Sequence, residues 1–364
     1  MGFTCGIVGL PNVGKSTIFN ALSAASVPAS SYPFCTIDCN KGMVSVPDGR
    51  LYTIAEIVHP PKVTPTHIEF LDIAGLVKGA SQGEGLGNQF LGHIRTVDAI
   101  VHVVRCFEQP DVAHMYGSLD PKRDVDIVTT ELILADLETL EKRMGKVEKL
   151  LRVGDKQAEA EMEVCRKAKT ALEAGNPVRA LERNEDERAI MEELFLLTTR
   201  PVIYVANVDE EELQNKKCSG VLEQIARQEK TGFVVICGDM ESEIALLEDE
   251  GERREFMDDL GLSESGLNQL VTVGYKTLNL ITFYTTVGPE LRAWTVLEGT
   301  RAPQAAGKIH SDMEQGFIKA EVISYDDFIK AGSLSVAREE GHLRLEGKDY
   351  TITDGDLIHF KFSS

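Results

Sequence analysis

Gly9-Leu10-Pro11-Asn12-Val13-Gly14-Lys15-Ser16 is the stretch from which the rest of the chain can be read. It fits the pattern G-x-x-x-x-G-K-[ST], a loop built to hold phosphates. Cys5-Gly6-Ile7-Val8 before it reads as a short buried strand. Thr17-Ile18-Phe19-Asn20-Ala21-Leu22 after it reads as the start of a helix with Ile18, Phe19 and Leu22 on one face. Glycines at 9 and 14 let the backbone curl until successive N–H groups converge, and the helix adds its positive end. In such a loop Asn12, Val13, Gly14 and Thr17 surround the phosphates, Lys15 reaches the β- and γ-phosphates, and the Ser16 hydroxyl meets Mg²⁺. The expected fold is α/β, and the expected ligand a nucleoside triphosphate.

The 364 residues suffice for two or three domains, and 43% hydrophobic with 26% charged residues is ordinary for a globular protein. No apolar run approaches the ~20 residues that span a bilayer, and no signal segment opens the chain, so no membrane partner is expected. A formal net charge of −20 discourages indiscriminate binding to nucleic acid. Seven cysteines at 5, 35, 39, 106, 165, 218 and 237 have no zinc spacing and an odd count. They are expected to be reduced thiols in a cytoplasmic protein. Nothing in the sequence obliges more than a monomer.

Two further stretches complete the triphosphate reading. Ser30–Asp38 is a polar loop with a proline and no helical period, where Thr36 is the candidate to close over Mg²⁺ and the γ-phosphate. Ile68–Gly75 is a strand ending in D-x-x-G: Asp72 can hold Mg²⁺ through water, and the Gly75 N–H can sense the γ-phosphate. Loss of that phosphate would release both loops. Leu76 follows where many relatives of this class place a glutamine that orients water, so either the catalytic residue comes from elsewhere or intrinsic hydrolysis is slow. Cys35 beside Thr36 raises redox control of the switch, although an ordinary thiol is mostly protonated near neutrality. Ala99–Arg105 is the next buried strand, and His114 falls in the loop that follows.

From Asp124 to about Thr199 the composition changes. Ile133, Leu137, Leu140, Met144, Val147 and Leu151 alternate steps of four and three, the spacing of a coiled-coil seam. Gly154-Asp155 breaks it, and Ala158, Met162, Cys165, Ala168 and Leu172 mark a second helix. The two predict an antiparallel hairpin inserted between strands of the nucleotide domain. The sheet resumes at Pro201–Asn207 and ends in Asn207-Val208-Asp209-Glu210, where guanine readers carry N-K-x-D. Val208 replaces the lysine and Glu210 the aspartate, and a longer carboxylate should hold guanine poorly. The backbone at Gly238 and Met240, after the strand Gly232–Cys237, can touch the base. A last α+β module begins near Thr282, with strands at 293–297, 319–323, 350–352 and 357–361. Its Lys308, His310 and Lys319 read as isolated surface charges.

Together, the loop at 9–16, Phe34-Cys35-Thr36, D-I-A-G-L-V-K-G-A at 72–80, N-V-D-E at 207–210 and A-A-G-K-I-H at 305–310 closely resemble the YchF (Obg-like ATPase) family, end to end. The resemblance implies a Ras-like P-loop domain over 1–124 and 200–280, an inserted helical coiled coil over 125–199, and a C-terminal TGS domain of ubiquitin-like (β-grasp) shape over 281–364. It implies an ATPase with GTP the weaker substrate, slow turnover, and association with ribosomal subunit surfaces, with RNA reached through the TGS and hairpin face. It extends a catalytic role to His114 and a K⁺-ligand role to Asn12. A GTPase of the same fold and a non-hydrolysing ribosome-binding scaffold are the rival readings. A small-molecule kinase would need an acceptor-binding motif, and none is evident.

Overall fold

The computed structural model describes residues 3–24, 41–73, 86–108, 115, 117–247, 249–286 and 288–363. Its strands, in chain order, are β1 (Phe3–Val8), β2 (Lys41–Ser45), β3 (Lys62–Thr64), β4 (His67–Asp72), β5 (Ala99–Cys106) and β6 (Val202–Val208). They continue with β7 (Gly232–Ile236), β8 (Leu280–Thr285), β9 (Glu290–Leu297), β10 (Phe317–Ile323), β11 (Arg344–Glu346) and β12 (Leu357–Phe362). The chain forms two compact units, one of Thr4–Met43 and Glu69–Gly274, the other of Met1–Phe3, Val44–Ile68 and Tyr275–Ser364.

The first sheet runs β2-β4-β1-β5-β6-β7. β5 pairs in parallel with β1 and β6, and β6 with β7. Every residue of β5 and β6 is buried, which is why both read as uninterrupted apolar runs rather than as alternation. The phosphate loop follows the carboxyl end of β1 and leads into the helix Lys15–Ala24.

The hairpin forms as its spacing requires. Its first helix spans Pro121–Leu151, with Asp120 accepting from the Arg123 N–H at 3.1 Å and a proline in the first turn. Gly154 turns the chain at φ 81°, and Asp155 caps the second helix, Lys156–Glu173. Ile133, Leu140 and Val147 are buried against Ala158, Met162, Cys165, Ala168 and Leu172, with Leu137, Met144 and Leu151 at the margins. Asp136, wholly buried, fixes the hairpin's base: it accepts from the Leu197 N–H at 2.7 Å, the Thr198 N–H at 2.8 Å and the Thr198 hydroxyl at 2.6 Å.

One cysteine expectation is corrected. Cys106 and Cys218 form a disulfide, with Cα atoms 5.4 Å apart across a separation of 112 residues. The end of β5 and the first turn of the helix Lys217–Glu229 place the two side by side. Cys5, Cys165 and Cys237 are free and buried.

The second sheet runs β11-β10-β12-β8-β9-β3. β12 pairs antiparallel with β10 and parallel with β8, an arrangement of the β-grasp kind. The helix Ala302–Ile309 lays Ala302, Ala305 and Ala306 against Phe283, Val296, Phe317 and Phe360. This unit is larger than residues 281–364, because β3 pairs with β9 and Leu51 and Ile54 join Tyr284, Leu291, Phe328 and Leu357 in one cluster. Arg50 donates to Asp48 at 2.9 Å and to Asp354 at 2.7 Å, and the Tyr284 hydroxyl donates to Asp48. One local detail also differs from expectation: the strand expected at 350–352 reduces to one bridge between Arg301 and Thr351.

Candidate nucleotide site

The loop after β1 needs its glycines for space as well as curvature. Gly9 (φ 157°) leaves 2.4 Å between the place of a Cβ and the Val103 carbonyl oxygen. At Gly14 (φ 88°) a Cβ would stand 2.0 Å from the Asn207 amide nitrogen. Asn12 occupies the left-handed region at φ 62°, a conformation asparagine tolerates better than most side chains.

Lys15 is only 8% exposed and donates to the Leu10 carbonyl at 2.7 Å. Burial lowers its pKa to about 8, opposed in part by the charge of Asp72. Asp72, at the end of β4, is held above its usual range by burial, against the pull of Lys15 and a hydrogen bond from Ser16. The cation is thus parked on its own loop's backbone beside the Asp72 carboxylate. The Ser16 hydroxyl and Asp72 carboxylate stand together as hard oxygen donors, the chemistry Mg²⁺ prefers.

Asn207 is 4% exposed and bridges two elements. Its Nδ2 donates to the Val13 carbonyl at 3.0 Å, and its Oδ1 accepts from the Gly238 N–H at 3.1 Å. Thr17 also approaches Gly238, its Cγ2 lying 3.3 Å from where a Cβ would be. Val208 is a buried strand residue beside Cys106. Asp209, between the two replaced motif positions, is an N-cap: it accepts from the Glu212 N–H at 2.9 Å and from the Glu108 N–H at 3.2 Å. Glu210 opens the following helix and is exposed. Gly238 and Met240 lie in the first turn of the helix Gly238–Leu246, both buried. Glu241 beside them caps the helix Gly266–Thr277 through the Gly266 N–H at 2.5 Å.

Sequence reading missed two residues here. The Arg105 guanidinium, buried at the end of β5, covers one face of the Phe107 ring at 4.4 Å and donates through Nε to the Phe107 carbonyl at 3.1 Å. The ring edge lies 4.0 Å from the place of a Gly14 Cβ, so an aromatic plate stands beside the Asn207 bridge. No motif announces it; the available signal was an arginine and a phenylalanine at the end of a strand paired with Asn207. Thr36, Cys35, Gly75, Leu76 and His114 lie outside the described residues.

A profile of the 50S ribosome-binding GTPase family matches residues 4–164, and the C-terminal profile of YchF GTPases, described as a protein of unknown function, matches 280–363. A ribosome-binding ATPase YchF of Bacillus subtilis (strain 168) is 49% identical over 366 residues, covering 100% of both chains. The chain belongs to the YchF family. The YchF relative from Escherichia coli O157:H7, also named a ribosome-binding ATPase, is 51% identical over 363 residues and again 100% of both chains. The solved structure of the Schizosaccharomyces pombe YchF GTPase matches with TM-score 0.88 and 35% identity, over 99% of this chain and 98% of that one. A GTP-binding protein of Pyrococcus horikoshii OT3 shares the fold at TM-score 0.63 and 18% identity, over 100% of each chain.

Proposed function

We propose that this YchF member is a Mg²⁺-dependent ATPase with slow turnover, hydrolysing ATP to ADP and phosphate, GTP more weakly, as a ribosome-associated switch. The observation that carries the reading is the closed set of Lys15, Ser16 and Asp72 around an inward-curled loop. When a triphosphate enters, Lys15 exchanges the Leu10 carbonyl for phosphate oxygens and regains a full positive charge. The loop amides and the start of the helix Lys15–Ala24 add fixed positive potential. Ser16 and Asp72 would hold Mg²⁺, which supplies neutralisation of the β- and γ-phosphate charge. Thr36 and the Gly75 amide close on the γ-phosphate, and His114 is the proposed stand-in for the absent glutamine. A K⁺ ion on Asn12 would add charge at the same phosphates.

The adenine preference follows from what surrounds the base. Asn207 spends one donor and one acceptor on the protein itself, Val208 offers no lysine stem, and Glu210 is exposed. The Phe107 ring beside Gly14 offers a stacking surface for a purine, which needs no carboxylate clamp. The chain works as a monomer in the cytoplasm, contacting surfaces of the large and small ribosomal subunits. The GTPase reading is kept because the fission-yeast relative is named a GTPase. Phosphate release from ATP and from GTP, with and without ribosomes, separates the readings. Faster ATP turnover supports the proposal, a clear GTP preference reverses it, and no release from either nucleotide leaves only a scaffold.

A further inference from the structure

We propose that a small cavity in the unit holding β8 to β12 binds a free α-amino acid with an aliphatic side chain. The cavity encloses about 230 Å³. That is below the ~300–1,000 Å³ of pockets for drug-sized ligands, so a small metabolite matches its size and a nucleotide does not. Its walls include Leu334 and Arg338 of the helix Leu334–Glu339, Glu321 of β10, and Leu357 and His359 of β12. Leu334 and Arg338 are one helical turn apart and share a face of their helix. Glu321 and His359 stand opposite each other in the β10–β12 register and share a face of the sheet.

The polar side of the cavity is charged, with hydrogen-bonding capacity left over. Three nitrogens surround Glu321 Oε2: Arg338 Nη2 at 3.7 Å, His359 Nδ1 at 3.6 Å and Lys361 Nζ at 3.6 Å. All three lie beyond hydrogen-bonding distance. The Glu321 side chain is 19% exposed and accepts no hydrogen bond from any described residue. The Arg338 guanidinium likewise donates none among the described residues. Burial and the neighbouring Lys361 lower the His359 pKa, so that ring is neutral near neutrality, with Nδ1 3.3 Å from Lys361 Nζ. Lys361 is thereby engaged with His359 and Glu321, and Arg338 is the cation left for a ligand. Much of the remaining wall is aliphatic, from Leu334, Leu343 and Leu357.

A plain aliphatic carboxylate would meet Arg338 but set its charge against Glu321, and an amine would do the reverse. An α-amino acid carries its ammonium and carboxylate on adjacent carbons, so one ligand answers both charges, and its side chain covers the leucines. None of these residues belongs to the nucleotide loop, so amino-acid uptake and ATP hydrolysis can fail independently.

Isothermal titration of the full chain with L-leucine tests the site. One-to-one uptake with a Kd between about 10 μM and about 10 mM is expected for so small a ligand. Arg338→Ala and Glu321→Gln should each weaken it about tenfold or more, because each removes a charge-assisted contact. The circular dichroism spectrum and leucine-free ATP turnover should stay as in the wild type. Isocaproate, which is leucine without its ammonium group, and isoamylamine, which is leucine without its carboxylate, should each bind at least about tenfold more weakly than leucine. Either truncated ligand matching leucine would overturn the assignment of an amino acid. Equal leucine uptake by the wild type and both variants would place the ligand elsewhere and overturn the site. No uptake of leucine, valine or methionine by the wild type at about 10 mM would overturn the proposal outright.

Discussion

Lys15 is where the chemistry of single residues decides most. Buried against its own loop with its pKa lowered to about 8, it must be charged to meet a triphosphate. Between about 8 and its ordinary value of 10.5, the free protein holds fewer protons on Lys15 than the nucleotide complex, so binding takes up a proton. ATP affinity should therefore fall as pH rises above about 8, by at most tenfold per unit. Calorimetric titrations in buffers of different ionisation enthalpy should show that uptake; its absence at pH 9, as an order-of-magnitude choice above that pKa, would mean Lys15 is already charged in the free protein. The Phe107 plate gives a second prediction. Phe107→Ala should weaken adenine nucleotides by about 1–3 kcal/mol, the usual worth of an aromatic stack on a base, and leave inorganic triphosphate binding unaltered. Equal losses for ATP and triphosphate would show that the ring acts by shaping the loop instead.

At the scale of elements, Asp136 should matter more than its distance from the phosphates suggests. It accepts three hydrogen bonds from residues 197 and 198 in a buried position, and removing it orphans those donors. Asp136→Ala should cost about 3 kcal/mol in denaturant unfolding, and Asp136→Asn nearly as much. A loss below about 0.5 kcal/mol would show that the hairpin base stands without this clamp. The Cys106–Cys218 bond closes a loop of a size for which a cross-link is worth about 5 kcal/mol in the chain-entropy view. Non-reducing peptide mapping should find the linked pair, and reduction should lower the unfolding midpoint; two free thiols at these positions would contradict it. The hairpin was legible because its seam depends on local spacing, and the phosphate loop because glycines at fixed intervals have one common use. Arg105 and Phe107 were not, because burial of an arginine beneath a ring depends on partners across β5 and β6. The disulfide was hidden for the same reason: Cys106 and Cys218 meet only where the start of the helix Lys217–Glu229 comes beside the end of β5.

Across the whole molecule, assignment to units was the least readable feature. β3 and the helix Gly49–Val58 belong to the C-terminal unit through contacts with residues over 200 positions away, which no local period records. Residues 281–364 alone should lack cooperative unfolding, since Leu51, Ile54 and the Arg50–Asp48–Asp354 link would be missing. Linking 44–68 back to 275–364 should restore it, and a cooperative transition in the shorter fragment would show those contacts to be dispensable. In a chain of net −20, the loop Gly9–Ser16 with Lys15 is the element built to hold a triphosphate. Isothermal titration of the full chain and of Lys15→Ala with ATP in Mg²⁺ tests it most directly. Saturable, one-to-one uptake by the wild type, tighter for ATP than for GTP and lost in the variant, is the expected result. Equal binding by both proteins, or none by the wild type, would contradict it.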